Sequence, residues 1–411
     1  MAAVPQPPSI PTFEDARAVV ERHAAQVRPP GTESVELSAC LGRVLAQTVT
    51  ADRDFPPFRR AMRDGYAIRA ADLATLPATL EVVAEIKAGA SPEDLPAGIR
   101  AGQAAAIMTG APAPNGADAV VMVEYTSISG NRVTITRGIA SGDNIVEAGS
   151  EARKDQTLLE PGVAIDYGAI SIAASVGQPS VTVFRRPSVA ILATGDEIVG
   201  VGEHPGPYQI RNSNSYSLAA QVQQAGATPV LLGVARDEVA SLRTLIARGL
   251  EHDLLLLAGG VSMGKYDLVE QVLAEFDAEF LFTGAQIQPG RPVVFGHAHD
   301  RYFFGLPGNP ISTMVTFELF ARVILEALAG MRPRKLRFLH ARLKSEIRTK
   351  TGLKRFLPGN LSGEFEHAQV ELAGWHGSGD IAAMTRSNCY VVIPPDRERI
   401  PAGEWVALLM R

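Results

Sequence analysis

Residues 254–267 read LLLLAGGVSMGKYD, and this stretch decides how the middle of the chain folds. Four consecutive leucines favour a strand that is apolar on both faces. The glycines that follow favour a tight loop, because glycine adopts backbone conformations that other residues avoid. A loop that continues to Lys265 and Asp267 carries more charge than a simple turn needs, so its role depends on the sequence around it.

Apolar runs of this kind alternate with helical stretches across residues 187–330. The apolar, strand-like runs read SVAILATG, TPVLLGVA, DLLLLAGG and RYFFGLPG. The stretches with helical spacing lie near 213–225, 237–250, 267–276 and 310–329. Strands without a polar face that alternate with helices are typical of a parallel sheet covered on both sides. The sequence therefore predicts a doubly wound parallel α/β domain.

The flanking regions have other patterns. Helical spacing occurs at 13–27, near 37–47 and at 166–177. Between about 55 and 150, short β-like runs are closely punctuated by Gly and Pro, which predicts a β-rich module. After GMRPRK at 330–335 the chain is again β-rich, which predicts a small β-barrel or sandwich.

Composition narrows the class of protein. The 411-residue chain has a net charge of −5 and no block of basic residues that would mark a nucleic-acid-binding protein. Its two cysteines, Cys40 and Cys389, exclude a disulfide framework and a CxxC-type zinc site. The proline-rich start does not read as a signal peptide, and no apolar run reaches the roughly 18 residues of a membrane span. We expect a cytoplasmic protein with small-molecule partners, bound to neither nucleic acid nor a membrane.

Acidic residues follow three of the four predicted strands. Glu197, Asp237 and Asp267 each come shortly after a strand, at the edge where open α/β sheets bind ligands. Each could instead be a helix cap or a first-turn acid. If they converge, their mutual repulsion favours an oxygen-preferring divalent cation such as Mg²⁺, which would bring a phosphate with it.

The same loops contain small residues suited to an anion. Gly259 and Gly260 let the backbone approach a phosphate closely, Ser262 adds a hydroxyl, and Lys265 is either a phosphate partner or a solvated charge. A purely structural Gly-Gly turn is the alternative. The fourth loop, Pro307-Gly308-Asn309-Pro310, places Asn309 at the expected N-cap and Pro310 at the first helical position.

The β-rich module offers one further acid. Asp64 lies in the run FPPFRRAMRDGYA among arginines, and Thr109 precedes a Gly-Ala-Pro turn in IMTGAPAPNGADAVVMVE. Both segments could be ordinary turns. Charged and apolar side chains interleaved around Asp64 nevertheless indicate a surface that meets a partner or ligand.

These segments together resemble the molybdopterin molybdenumtransferase family, which includes bacterial MoeA and the gephyrin E domain. The matching pieces, in the family's order, are RDGYA, IMTGAPAPNGADAVVMVE, PSVAILATGDE, GVARDE, GGVSMGKYD, QPGRP, GLPGNPIST and GSGDIAAMTRSNCYVVIP. They run from about residue 55 almost to the end of the chain. GGVSMGKYD with GLPGNP is the most specific pair.

The resemblance implies a homodimer of four-domain subunits. The expected domains are a discontinuous helical domain at 10–54 and 148–184, a β-rich insert at 55–147, the α/β domain at 185–331 and a C-terminal β-barrel at 332–411. The active site would lie between the α/β domain of one subunit and the insert of the other.

The resemblance also implies a reaction in molybdenum cofactor biosynthesis. Molybdate is inserted into adenylylated molybdopterin and AMP is released, with Mg²⁺ as the cofactor. The family's catalytic positions correspond to Asp64, Thr109, Glu197, Asp237, Asp267, Pro307 and Pro310. Glu197, Asp237 and Asp267 would hold the metal. The substrate-binding positions would be Gly259, Gly260, Ser262, Lys265, Arg291, Gly308 and Asn309.

Four positions depart from the family pattern. Gln288 replaces the first lysine of KPGKP, while Arg291 keeps the second positive charge. Asn212, Val146 and Ala152 replace an aspartate, an arginine and an aspartate. These changes bear on oxyanion specificity or rate and leave the carboxylates intact.

Two further functions fit the same frame. The chain could insert tungstate or adenylylate molybdopterin, since fold alone does not decide function. It could also be a non-catalytic scaffold, as the likeness to gephyrin permits, although all four acids are retained. Delivery of substrate by a molybdopterin adenylyltransferase partner is a further option.

Overall fold

The computed structural model describes residues 10–260 and 268–411, and the chain divides into two compact units. One unit comprises Met1–Ala46, Gly162–Asp166 and Thr182–Arg411, and the other comprises Gln47–Pro161 and Tyr167–Val181. This division is coarser than the four expected domains, whose boundaries stay a prediction. None of the helices in the described part of the chain has the length and apolar character that a membrane span requires.

A six-stranded sheet forms the centre of the first unit. Its strands, in spatial order, are Thr228–Ala235, Ser188–Thr194, Leu254–Ala258, Arg301–Leu306, Val294–Ala298 and Glu279–Thr283. The first four are parallel, which confirms the predicted parallel α/β core. The last two run antiparallel and extend one edge, a feature that the sequence pattern did not predict.

Helices cover both faces of this sheet, as predicted. They are Asn214–Gln224, Val239–Gly249, Leu268–Ala274, Pro310–Thr316 and Arg322–Leu328, and a π-helical turn at Phe317–Ala321 joins the last two. Leu254 and Leu256 pack in one core with Leu218, whereas Leu255 and Leu257 pack in a second core with Leu242. All four leucines of the central strand are fully buried, and each contributes about 1.5–3 kcal/mol to stability.

The N-terminal part of this unit confirms one predicted helix and corrects another. Phe13–Ala24 is helical, and the Thr12 side chain caps it by accepting a hydrogen bond from the Asp15 N–H. The predicted helix near 37–47 is wrong. After the strand Thr32–Glu36, only Leu37–Ala39 forms a short 3-10 turn. Gly42 then adopts a φ of 73°, which ends helical geometry, and Leu45 forms a β-bridge with Val183.

The C-terminal region is a closed five-stranded barrel, as predicted. Around the ring its strands are Lys354–Ser362, Gln369–Leu372, Phe338–Leu343, Trp405–Met410 and Cys389–Ile393. The strand Ile287–Gln288 joins it from the α/β region. Smaller elements are the strand pair Ile347–Arg348 and Arg399–Ile400, the 3-10 turn Phe365–His367 and the helix Ile381–Thr385.

The second unit is β-rich, as predicted for residues 55–150. Its six-stranded sheet has the spatial order Ala119–Met122, Gly65–Ile68, Gln103–Ile107, Ala78–Ile86, Arg132–Ile135 and Thr126–Ser129. Outside this sheet lie Val49–Thr50, Arg60–Ala61, Ile145–Val146, Thr157–Leu159, three 3-10 turns (Ala70–Leu73, Pro92–Asp94, Val123–Tyr125) and the predicted helix Tyr167–Ser175. Apolar residues fill both faces of the sheet. Tyr66 and Ile68 pack on one side and Ala67 on the other.

Candidate functional site

A cleft of about 810 Å³ opens at the carboxyl ends of the four parallel strands. All four predicted loops contribute to its wall: Thr194, Gly195, Glu197, Asp237, Gly259, Gly260, Pro307, Gly308, Asn309 and Pro310. Gly379 and Ile381 from the C-terminal region complete one side. The strand order thus brings together loops that lie up to about a hundred residues apart in sequence, at the edge where such sheets bind ligands.

The acids at this edge influence one another. Glu197 and Asp237 both line the cleft, and the neighbouring Asp196 accepts a hydrogen bond from the Asp237 N–H through Oδ1 at 3.2 Å. Partial loss of water around the carboxyl raises the pKa of Asp237, and the charges of Asp196 and Glu197 raise it further. These carboxylates are therefore close enough to repel.

Two of the three expected metal ligands, Glu197 and Asp237, lie among the described residues. Asp267 lies outside the described residues, as do Ser262 and Lys265. Within residues 10–260 and 268–411, no group of three or more His, Cys, Asp or Glu side chains is arranged to hold a metal ion. Glu197 and Asp237 still fit a divalent cation in donor type, because a cation would offset both the partial loss of water and the repulsion that raise the Asp237 pKa.

Two glycines shape the base of the cleft. Gly259 and Gly260 have φ values of 99° and 65°, which other residues rarely adopt. A Cβ atom on Gly260 would lie 2.5 Å from Thr194 Oγ1. The Gly259 N–H donates to the Leu306 carbonyl at 3.0 Å, so Gly259 offers close approach rather than a free donor. Buried Thr194 Oγ1 has no hydrogen-bond partner among the described residues.

The Pro307–Pro310 turn is held firmly in place. The Thr313 hydroxyl donates to the carbonyls of Pro307 and Asn309, the latter at 3.0 Å. Asn214 Nδ2 donates to the Gly308 carbonyl at 2.7 Å. Asn309 is the N-cap of the helix that starts at Pro310, as predicted, although its side chain makes no capping hydrogen bond.

The segment 211–214 also lines the cleft, and the sequence had indicated only Asn212 there, as a departure from the family pattern. Arg211, Asn212 and Asn214 are in the wall, where Arg211 supplies a cation. Asn212 is buried, and its Oδ1 accepts a hydrogen bond from the Ser215 N–H at 3.1 Å. The polar run Arg-Asn-Ser-Asn immediately before a helix was the available signal.

Arg291 lies beside the cleft and not in its wall. It is exposed, and the next residue, Pro292, lines the cleft. Gln288, where the family pattern has lysine, accepts a hydrogen bond from Arg355 Nε through Oε1 at 2.7 Å. Arg355 is buried, and burial lowers its pKa. Position 288, which lacks the lysine of the family pattern, therefore lies next to the positive charge of Arg355.

In the second unit, Asp64 and Thr109 form a pair. Asp64 Oδ1 accepts hydrogen bonds from the Thr109 N–H at 2.6 Å and the Thr109 hydroxyl at 2.8 Å. These bonds lower the pKa of the exposed Asp64 carboxyl. Close packing fixes the turn, because a Cβ atom on Gly65 would lie 1.8 Å from the Val121 carbonyl oxygen.

The two remaining departures from the family pattern occupy structural positions. Val146 lies in the strand pair with Arg60–Ala61, and Ala152 is buried and forms a β-bridge with Phe55.

Three family models match successive parts of the chain. Residues 11–177 match the MoeA N-terminal region (domain I and II), residues 190–327 a probable molybdopterin binding domain, and residues 340–410 the MoeA C-terminal region (domain IV).

Individual relatives match over most of their length. The molybdopterin molybdenumtransferase of Nostoc sp. is 35% identical across 92% of this chain and 88% of its own, and that of Bacillus subtilis is 33% identical across 92% and 90%. The molybdopterin biosynthesis MoeA protein of Pyrococcus horikoshii OT3 superposes with a TM-score of 0.80 at 28% identity, covering 98% of this chain and 100% of that one. The chain therefore belongs to the molybdopterin molybdenumtransferase family of molybdenum cofactor biosynthesis.

Proposed function

We propose that this protein inserts molybdate into adenylylated molybdopterin and releases AMP. The two dithiolene sulfurs bind molybdenum, and their two thiol protons leave with one oxide ligand of molybdate as one water molecule. The phosphoanhydride to the adenylyl group is hydrolysed, so AMP leaves with an oxygen atom from water. The observation that carries this proposal is the convergence of Glu197 and Asp237 with Gly260 and the Pro307–Pro310 turn in one cleft.

The acids suit the phosphoanhydride part of the reaction. Glu197 and Asp237, together with Asp267, would hold Mg²⁺. When bound, Mg²⁺ neutralises phosphate charge and polarises a phosphoryl oxygen. The raised pKa of Asp237 supports this assignment, because a carboxylate that has lost part of its water and lies near other carboxylates is stabilised by a cation.

The rest of the wall would hold the substrate. Gly260 lets phosphate approach the backbone, since a side chain there would collide with Thr194. Gly308 and Asn309 remain proposed backbone contacts to the substrate, because the helix that starts at Pro310 has no N–H at its first position and the Ile311 N–H donates to the Ser378 carbonyl at 3.0 Å. Buried Pro307 fixes the wall beside the pterin, and Arg211 adds a positive charge. Gly259, Ser262, Lys265 and Arg291 remain proposed contacts to phosphate or oxyanion.

We further propose a homodimer in which Asp64 and Thr109 serve the cleft of the partner subunit. Both hydrogen bonds from Thr109 end on Oδ1 of the exposed Asp64 carboxylate. They fix the orientation of the carboxylate and leave Oδ2 for a ligand. A molybdopterin adenylyltransferase is the partner that would supply the adenylylated substrate. A reducing cytoplasm suits the two cysteines, which are buried and free.

Release of AMP from purified protein, adenylylated molybdopterin, Mg²⁺ and molybdate tests the reaction. Asp267→Asn should abolish AMP release if Asp267 holds the metal. Asp300→Asn is the matched control, because Asp300 is exposed and lies outside the cleft wall. Absence of AMP with both molybdate and tungstate, from folded protein, would refute insertion.

Subunit complementation tests the shared site. Asp64→Asn and Asp237→Asn subunits, each with little activity alone, should regain about one quarter of wild-type activity when co-expressed equally, because half the dimers then contain one intact site. No recovery from verified heterodimers would place both acids in the same subunit's site.

Oxyanion preference is tested at Gln288. Gln288→Lys restores the family's lysine but puts a second cation beside Arg355. The KM values for molybdate and for tungstate should be measured for wild type, for Gln288→Lys and for Gln288→Lys/Arg355→Gln. The double variant moves the single cation to position 288. Equal KM values in all three proteins would show that this position does not contact the oxyanion.

A further inference from the structure

A second cavity, of about 380 Å³, lies away from the cleft in the first unit. It is bounded by the first helix, the helix Arg322–Leu328, the segment that enters the barrel and the end of the last strand. We call it the basic cavity. It shares no lining residue with the cleft. Six cationic side chains line it: Arg17, Arg322, Arg334, Lys335, Arg337 and Arg411.

The two acids of the basic cavity are already paired. Glu318 receives two hydrogen bonds from Arg322, at 2.6 and 2.9 Å. Glu326 receives two from Arg334, one of them at 3.0 Å, and its side chain is only 11% exposed. Arg17 is buried and pairs with Glu21 at 2.9 Å. The floor is therefore balanced in charge and rigidly bonded.

The rim is not balanced. Lys335 and Arg337 are exposed, and within the described residues neither has an ion-pair partner. Among the described residues, the Arg411 guanidinium hydrogen-bonds to neutral groups, donating to the Met384 carbonyl at 2.7 Å and to the Ser387 hydroxyl at 3.3 Å. Lys335 and Arg337 thus add two unpaired cations to a concave, neutral floor in a chain whose net charge is −5. Such an arrangement concentrates positive potential at the cavity.

The wall also has an apolar part. Val323, Leu336 and Leu409 line the basic cavity beside the cations. A volume of about 380 Å³ falls within the range of small-molecule sites, about 300–1,000 Å³. Guanidinium and ammonium groups next to apolar surface match a molecule with a phosphate at one end and an organic body at the other. We propose that the basic cavity binds a phosphorylated small molecule, with Lys335, Arg337 and Arg411 contacting its phosphate.

Calorimetric titration of the full-length protein with inorganic pyrophosphate and with glucose 6-phosphate tests this site. In Lys335→Ala/Arg337→Ala the affinity for both probes should fall at least about a hundredfold, which corresponds to losing two charge-assisted hydrogen bonds. Lys344→Ala/Arg348→Ala is the matched control, because it removes two cations of the same barrel that pair elsewhere with Glu371 and Glu346. The conservative exchange Lys335→Arg/Arg337→Lys should retain affinity within a few fold.

Binding of the probes at the cleft must be separated from this event. Arg211→Ala removes the cation of the cleft wall, so binding that persists in Arg211→Ala and disappears in Lys335→Ala/Arg337→Ala belongs to the basic cavity. Two results would overturn the proposal. One is no binding of either probe to wild type beyond a cleft event. The other is equal weakening in the Lys344/Arg348 control, which would indicate general charge attraction.

Discussion

Asp237 and Asp64 are both exposed aspartates, yet the pKa values of their carboxyl groups shift in opposite directions. Asp237 lies in the cleft wall near Asp196 and Glu197, and its pKa is raised. Asp64 accepts two hydrogen bonds from Thr109, and its pKa is lowered. The Asp237 carboxyl loses part of its water and is repelled by neighbouring carboxylates, whereas the Asp64 carboxyl accepts hydrogen bonds from Thr109. This difference suits Asp237 to a cation and Asp64 to a fixed anionic contact.

Among the variants that contrast the two regions, the largest expected effect is on AMP release by Asp237→Asn. The amide keeps the shape of the carboxyl but removes the charge that would hold Mg²⁺, so kcat/KM should fall by about 100-fold. Initial rates of AMP release at saturating and limiting Mg²⁺ measure this. If excess Mg²⁺ leaves the variant as active as Asp300→Asn, Asp237 does not bind the metal.

A second expected effect compares the backbone of the two regions. Gly260→Ala should lose at least about tenfold in activity and lower the Tm, because positive φ costs about 1–2 kcal/mol and the new Cβ atom also meets Thr194 Oγ1 at 2.5 Å. Gly110, next to Thr109, also has positive φ, 83°, but no atom lies within 4 Å of the place that a Cβ atom would occupy there. Gly110→Ala should therefore show the conformational cost alone, and an equal loss of Tm in both variants would contradict the close approach in the cleft.

How far the sequence predicts these regions depends on the range of the interactions. The leucines at 254–257 are apolar on both faces of the strand and are all buried. The central strand, and the sheet edge at which its loop lies, could therefore be predicted from the local sequence. The strands Glu279–Thr283 and Val294–Ala298 carry polar residues among the apolar ones and pair as an antiparallel edge, which local pattern does not specify. The helix predicted near 37–47 failed because Gly42 and long-range β-bridges override helical spacing.

The candidate site divides in the same way. Glu197, Asp237, Pro307 and Pro310 follow predicted strands, so strand order alone brings them together. Arg211 and Asn214 reach the cleft through tertiary contacts, such as the hydrogen bond from Asn214 to the Gly308 carbonyl. No periodicity records a contact between residues so distant in sequence. The pairing of Asp64 with Thr109 is equally non-local, and only the family resemblance connected the two residues.

Thr109→Val tests the contrast between Asp237 and Asp64 at Asp64. It removes the hydroxyl donor to Asp64 and leaves the backbone N–H, so the Asp64 pKa should move part of the way back toward its usual value. Activity at neutral pH should fall about five- to tenfold, since a hydrogen bond to a charged group is lost. Thr79→Val is the control, because Thr79 is an exposed strand residue of the same unit that bonds only to another threonine. An unchanged rate would mean that the backbone donor alone positions Asp64.

The smallest expected effect is on stability, and its sign differs between the two aspartates. The folded-state pKa of Asp237 is raised, so its contribution to stability is present at acid pH and is lost as the pH rises through that pKa. The folded-state pKa of Asp64 is lowered, so its contribution is present at neutral pH and is lost as the pH falls through that pKa. Without Mg²⁺ at neutral pH, Asp237→Asn should raise the Tm by about 1 °C and Asp64→Asn should lower it by a similar amount.

As the pH falls, the difference in Tm should shrink first for Asp237→Asn, whose wild-type carboxyl has a raised pKa and becomes protonated earlier. The difference for Asp64→Asn should shrink only at lower pH, because the pKa of that carboxyl is lowered. Thermal unfolding of wild type and both variants in metal-free buffer from about pH 3 to pH 7.5 measures this, with Asp300→Asn as the reference for an exposed aspartate. Added Mg²⁺ should reverse the sign for Asp237→Asn only, since a bound cation turns the repulsion among the cleft acids into attraction. If the two variants shift the Tm in the same direction at neutral pH, the contrast between Asp237 and Asp64 does not hold.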